Sequence, residues 1–377
     1  MIPESRDNQL SQLLRTSIEQ LDITDEEYRL AVSRYEAVGE SLAGYWEQDP
    51  ASGLIYPQGS MRLGTVTRNI HHNDDIDIDL VTRRDLDRAS ITQAELKADT
   101  GHGLDLFIKT SPEGQPSKDE GKRCWTLHYP GFHVDVLPAL PDGRLSATGI
   151  IITDTQVRNW LPSDPVGFAD WFHGTMRADW TEVRKSTDIE AVPDWAVKTM
   201  LQRAVQALKR HRDIYFTDDL EQRPASIIIT TLAARAYRGG GSLYEVLRDV
   251  TSAMPALVED QGGVYVVANP VQPAENFADR WKHHPRRANR FFEWAEQAHS
   301  DFAGLGTSRG TDTVLERIAK ALGDRPAERA ERAAGAGLLE ARRAGNLGMA
   351  AATGALVAAG GRQVRPHSFH GDDFARP

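Results

Sequence analysis

The run Asp77-Ile78-Asp79-Leu80 places two carboxylates two residues apart inside a β-type apolar pattern. Alternate side chains of a strand face opposite ways, so Ile76, Ile78 and Leu80 would enter a core while Asp75, Asp77 and Asp79 share the other face. Carboxylates two residues apart stand roughly 7 Å apart at the backbone, close enough for their side chains to converge on one or two cations. Like charges in a row repel, and a divalent cation is the natural counter-charge. Ligands that are all oxygen favour Mg²⁺ or Mn²⁺ over zinc. The segment Phe132-His133-Val134-Asp135-Val136 repeats the alternation, with His133 and Asp135 on the outward face, and Asp135 can complete the set. Upstream lies Pro57-Gln58-Gly59-Ser60-Met61-Arg62-Leu63-Gly64-Thr65. A glycine followed by serine lets the backbone approach a phosphate, with amide and hydroxyl donors turned toward its oxygens. Alone, the paired aspartates suit a solvated edge strand and Gly59-Ser60 a plain turn. Their order, a Gly-Ser turn entering a helix, then Asp-x-Asp, then a lone Asp on a later strand, is far more specific.

The elements that must position these groups follow from periodicity. Residues 8 to 47 read as helix, first through Leu10, Leu13, Leu14, Ile18 and Leu21, then through Tyr28, Val32, Tyr35 and Val38 after a cap at Thr24 or Asp25. Four short β-type runs follow, at 76–81, 104–109, 124–129 and 132–137. A second helical region starts near Asp194, with Val197, Leu201, Val205 and Leu208 on one stripe, and continues through Ile227 to Tyr237 and Leu243 to Leu247. Lys198 and Lys209, eleven residues or about three turns apart, would share one face of it. Beyond Asp324 the chain turns rich in Ala, Arg and Gly, and a surface helix followed by a loose polar end is expected.

A length of 377 residues suits two packed lobes with a cleft, and 40% hydrophobic with 26% charged residues is ordinary for a globular chain. Cys124 is the single cysteine, which excludes an intrachain disulfide or a cysteine-built zinc site and fits a reducing compartment. The first residues lack a signal-peptide pattern and no segment approaches the ~20 apolar residues of a span, so a cytoplasmic protein without a membrane partner is expected. A net charge of −10 argues against a protein that mainly coats nucleic acid, whereas triphosphates held through metal ions remain compatible with it. His71-His72 and His283-His284 lack ligand spacing and read as loop residues, Arg286, Arg287 and Arg290 as a solvated helix face, and Cys124 beside Trp125 as packing.

Taken together, these residues resemble the polymerase-β-like nucleotidyltransferases, and within them the bacterial cyclic-oligonucleotide synthases, relatives of cyclic GMP-AMP synthase and oligoadenylate synthase in anti-phage signalling. The stretches 55–65 (IYPQGSMRLGT), 77–81 (DIDLV), 197–216 (VKTMLQRAVQALKRHRDIYF) and 224–237 (PASIIITTLAARAY) carry the resemblance. Weaker similarity runs through 163–172 (SDPVGFADWF) and 269–281 (NPVQPAENFADRW). It implies an α+β fold, a mixed-sheet nucleotidyltransferase lobe at 49–165 facing a helical nucleotide-binding lobe at 166–323, with N-terminal helices at 1–48 packing across both and a C-terminal helix and tail at 324–377. It also implies two Mg²⁺ or Mn²⁺ ions held by Asp77, Asp79 and Asp135, with Asp135 helping to deprotonate the attacking ribose hydroxyl. Ser60, Lys209 and Ser226 would hold the triphosphate, while Gln58 and Gly59 would border the nucleotide. Asp77 and Asp79 are preferred over Asp75 and Asp77 because Leu80-Val81 follows as in the family pattern.

The activity implied is synthesis, from nucleoside triphosphates, of a cyclic di- or oligonucleotide messenger that a separate effector reads, with a regulatory protein partner allowed and nucleic acid not required. Two alternatives stay open: a template-independent transferase acting on RNA or protein, and a non-catalytic nucleotide-binding scaffold. The first shares the same catalytic residues and differs only in its acceptor. The second is disfavoured by the presence of all three acidic positions.

Overall fold

The computed structural model describes residues 6–49, 52–68, 76–111, 115–144, 146–156, 159–177, 179, 198–349, 356–358 and 362–364. Seven strands form one mixed sheet: β1 (Ile55–Gln58), β2 (Ile76–Arg83), β3 (Ser117–Glu120), β4 (Trp125–Tyr129), β5 (Phe132–Pro141), β6 (Ile150–Ile152) and β7 (Leu161–Ser163). Their order is β1-β2-β5-β4-β3, and β6 extends from the far end of β5 to meet β7. Strands β2 and β5 run parallel, and the other pairs are antiparallel. Ile76, Ile78 and Leu80 on β2 and Phe132, Val134 and Val136 on β5 are buried on one face, as alternation predicts.

Among the described residues the α-helices are α1 (Arg6–Glu19), α2 (Asp25–Tyr45), α3 (Gly59–Leu63), α4 (Gln93–Thr110), α5 (Pro165–Thr175), α6 (Met200–Tyr215), α7 (Ser226–Ala236), α8 (Leu243–Ala253), α9 (Pro285–Thr307), α10 (Thr311–Leu322) and α11 (Asp324–Arg343). Thr24 caps α2 in a full capping box with Glu27. The two N-terminal helices serve different cores. Leu10, Leu14, Ile18 and Leu21 lie among the buried side chains of α6 to α10, whereas Ala31, Val38 and Leu42 pack with Ile78, Leu80 and Val134 of the sheet.

Several elements depart from the sequence reading. Residues 104–109 form the C-terminal half of α4, not a strand. The box Thr92/Glu95 starts that helix, and Leu96, Thr100, Leu104 and Phe107 bury one face at helical spacing. Gly101 and Gly103 masked this pattern, yet they let α4 press on its neighbours. A Cβ on Gly101 would come within 2.5 Å of Trp125, and one on Gly103 within 2.8 Å of Leu42.

Helix α6 begins at Met200 behind the box Thr199/Gln202, and the expected start at Asp194 and Val197 lies outside the described residues. Lys198 therefore precedes the cap and shares no helix face with Lys209. After α11, where a loose end was expected, Gly348–Met349, Leu356–Val357 and Arg362–Gln363 pair as a small sheet. Helix α11 buries Pro326, Ala327, Ala330 and Ala341, so it is partly a packing element.

Candidate active site

The parallel pairing of β2 with β5 sets Asp79 opposite Asp135 and Asp77 opposite His133, and the antiparallel edge sets Gln58 opposite Asp79. All three carboxylates line one cleft of about 960 Å³, together with Gln58, Gly59 and Ser60. That volume lies at the upper end of the ~300–1,000 Å³ usual for small-molecule sites. Gly59 opens α3 in the left-handed region, at φ +59°. A Cβ there would stand 2.0 Å from Asp79 Oδ2, so only glycine admits the carboxylate beside the Gly-Ser turn. Thr126 donates its hydroxyl to Asp135 Oδ1 at 2.5 Å and fixes that carboxylate from β4.

The carboxylates are held against their own repulsion. Burial first, then Asp135 and Asp77, push Asp79 up to about 7, with Lys209 pulling the other way. Asp77 is raised by displacement of bulk water and by Asp135, against the pull of His133, Lys209 and Arg223. Its side chain is 78% open, but it opens into the cleft rather than onto a free surface. His133 Nδ1 stands 3.8 Å from Asp77 Oδ1. Carboxylates destabilised in this way are relieved by a cation, and their all-oxygen donors fit the divalent ion that the sequence resemblance implies. Among the described residues, no three His, Cys, Asp or Glu side chains are already gathered as a metal cluster.

The wall facing the carboxylates is cationic. Lys209, 6% exposed, donates to the Thr65 carbonyl at 2.9 Å, and burial lowers its ammonium to about 8. Arg212, three residues along α6, gives one N–H to Ser226 Oγ at 2.7 Å and another to the Pro224 carbonyl at 3.2 Å. Asp213 is its carboxylate partner, at 2.5 Å. Lys209, Arg212, Arg223 and Ser226 all line the cleft. Arg212 and Arg223 escaped the sequence reading, although the i, i+3 spacing of Lys209 and Arg212 was there to be read.

The structure thus brings every expected site residue to one cleft: Gln58, Gly59, Ser60, Asp77, Asp79, Asp135, Lys209 and Ser226. Asp75 and His71-His72 lie outside the described residues. Cys124, read as packing, also lines the cleft, with its thiol pushed up to about 12 by burial, then by Asp135. Arg286 and Arg290 each stand 3.3 Å from Asp219, so they tie α9 to the loop between α6 and α7.

The chain has the fold of the polymerase-β-like nucleotidyltransferases. The chain is 29% identical over 386 residues to a c-di-GMP synthase of Roseivirga ehrenbergii, covering 99% of this chain and 100% of that protein. It is 27% identical over 341 residues to the cyclic dinucleotide synthase CdnG of Bradyrhizobium diazoefficiens, over 80% of this chain and 78% of that one. The structure of B. diazoefficiens CdnG in complex with GTP superposes with a TM-score of 0.68 at 24% identity, covering 86% of this chain and 98% of the other. An E. coli CdnC:HORMA complex gives 0.58 at 16% identity, over 83% and 96% of the two chains. No protein-family model matches the chain.

Proposed function

We propose that this chain is a metal-dependent nucleotidyltransferase that builds a cyclic di- or oligonucleotide second messenger from nucleoside triphosphates, for anti-phage signalling in the cytoplasm through a separate effector. The observation that carries this reading is one cleft with three carboxylates on β2 and β5 facing Lys209, Arg212 and Ser226. Relatedness to cyclic dinucleotide synthases along almost the whole chain supports the cyclic product. The CdnC:HORMA complex supports a protein partner as a further part of the system.

In this reading the sheet lobe at 49–165 and the helical lobe at 166–323 grip one nucleotide between them. Ser60, at the start of α3, and Lys209, Arg212 and Ser226, from α6 and α7, bind the β and γ phosphates and align the α phosphorus. Gln58 borders the sugar and base. An acceptor ribose hydroxyl attacks that phosphorus, a new phosphodiester bond forms, and the bond to pyrophosphate breaks as pyrophosphate leaves. Asp135 takes the hydroxyl proton, and the Thr126 hydroxyl keeps its carboxylate in place. Asp77, Asp79 and Asp135 would hold two Mg²⁺ or Mn²⁺ ions, which supply nucleophile activation and neutralise charge on the leaving group. A second transfer of the same kind closes the ring.

The test is to incubate the purified protein with all four nucleoside triphosphates and Mg²⁺ or Mn²⁺, measure pyrophosphate, and identify products by mass spectrometry and linkage-specific nuclease digestion. Pyrophosphate release with a cyclic product, abolished by Asp77→Ala combined with Asp79→Ala, is expected. Intact triphosphates with both metals would overturn the reading. Label transferred only to added RNA or protein would overturn cyclisation and leave the transferase chemistry standing.

A further inference from the structure

Beside the phosphate grip, one part of the cleft is formed by β7, the start of α5 and the loop after Asn269. Ser163, Phe168, Asn269, Glu275 and Phe277 line this part. Glu275 is an acid with no place in the transfer chemistry. Its carboxylate is locked from the protein side: Ser163 Oγ shares its one proton between the two oxygens, at 3.0 and 3.1 Å, and Asn269 Nδ2 donates to Oε2 at 2.8 Å. The backbone N–H of Asp164 donates as well. Arg123, the neighbouring cation, is committed to Asp154 and Asp279, both at 2.9 Å. A carboxylate offers about four lone-pair sites and no donor, so three protein donors fix its direction and leave about one site open on a group that lines the cleft.

Beside it, Phe277, the more open partner of an edge-to-face pair with the buried Phe168 at 5.8 Å, gives an apolar flank of the kind that nucleobases pack on. Resting on the nucleotidyltransferase reading above, we propose that Glu275 is a base-reading residue that selects guanine in this part of the cleft. The reason is complementarity. An acceptor-only group suits an edge with adjacent donors, and guanine offers N1–H beside its 2-amino group. Adenine and cytosine put a ring-nitrogen acceptor at the corresponding position, which a carboxylate repels. Uracil offers a single N–H between two carbonyl oxygens.

Burial raises the Glu275 carboxyl, with Asn269, Ser163 and Arg123 opposing it, so the group sits in a place where an added donor is worth more than in water. A plain inter-lobe strut would use the same Ser163 and Asn269 contacts but would treat all bases alike.

The experiment compares kcat/KM for pyrophosphate release with GTP, ITP and ATP as sole substrates, in wild type and Glu275→Gln, alongside the melting temperature of each protein. The expected order is GTP above ITP above ATP, and the variant should lose about tenfold or more on GTP, carried in KM, while ATP gains or holds. An equal loss on all three nucleotides, or a fall in melting temperature with unchanged base preference, would make Glu275 a strut and overturn the inference alone. Wild-type protein inert toward every triphosphate would instead remove the transferase reading beneath it.

Discussion

At the scale of single residues, the tightest constraint in the cleft is the contact between Gly59 and Asp79. A methyl group at Gly59 has no room, because it would meet Asp79 Oδ2 at 2.0 Å on a backbone already at φ +59°. The Asp79 carboxylate must then swing away from its position opposite Asp135. Gly59→Ala is therefore expected to cut pyrophosphate release about a hundredfold, since a misplacement of about 1 Å at a reacting centre costs that much. Steady-state rates beside melting curves check this: a folded variant with full activity would show that the close approach is dispensable. Much of this residue-level picture was legible in the sequence. Period-two alternation declared the shared face of Asp77 and Asp79, because burying Ile76, Ile78 and Leu80 leaves the aspartates no other side. Glu275 was not legible as a site residue, because it lies in an irregular segment whose path no periodicity encodes.

At the scale of elements, α6 decides how the two walls of the cleft meet. Gln202, Gln206, Lys209 and Arg210 recur along one buried polar stripe and donate to the carbonyls of Leu63, Val66, Thr65 and Arg68, at the end of α3 and in the segment after it. Helix spacing alone points these side chains one way, but only tertiary packing reveals that their partners are the carbonyls behind the Gly-Ser turn.

The same helix is pinned on another side. Trp294 Nε1–H donates to His211 Nδ1 at 3.0 Å, so the proton of this imidazole sits on Nε2 and faces Asp301 Oδ2 at 3.2 Å. Burial by itself would raise Asp301, but donors from His211, Lys320 and Gln297 outweigh it and hold the carboxyl well below the usual range. A depressed carboxylate contributes stability that is fully present above its unfolded value, near 3.9, and is lost as pH falls through the lower folded value. Asp301→Asn should thus cost about 1.5–3 kcal/mol at neutral pH, with the gap to wild type closing in acid below about pH 4. Denaturant titrations at pH 7 and below pH 4 check this, and a gap independent of pH would contradict the assignment. The strand misread at 104–109 belongs to this scale too. Gly101 and Gly103 are poor helix formers, and what they provide is room for Trp125 and Leu42.

At the scale of the whole molecule, α1 and α2 stitch two hydrophobic cores together within the first forty-five residues. Arg203 and Gln206 of α6 add a polar stitch by holding Asp22, in the turn between those helices, at 2.7 and 2.8 Å. Cores joined at several points should unfold as one unit. Calorimetry and tryptophan fluorescence are expected to report a single shared transition, and Leu14→Ala, at a site 1% exposed, should lower it as a whole by about 2–5 kcal/mol. Two resolved transitions, with only one of them moved by the substitution, would show that the lobes fold independently. Among the described residues, no helix is long and apolar enough to cross a membrane.

The one thiol of the chain gives the cleft an unusual practical property. Cys124 is half-buried next to Trp125 and shares contacts with Thr126 and Asp135. A sulfhydryl reagent therefore finds a single address in 377 residues, and that address lines the site. Its protonated state keeps it a slow nucleophile. Alkylation kinetics on the unaltered protein thus amount to a built-in occupancy gauge, with no label to engineer and no background from other cysteines.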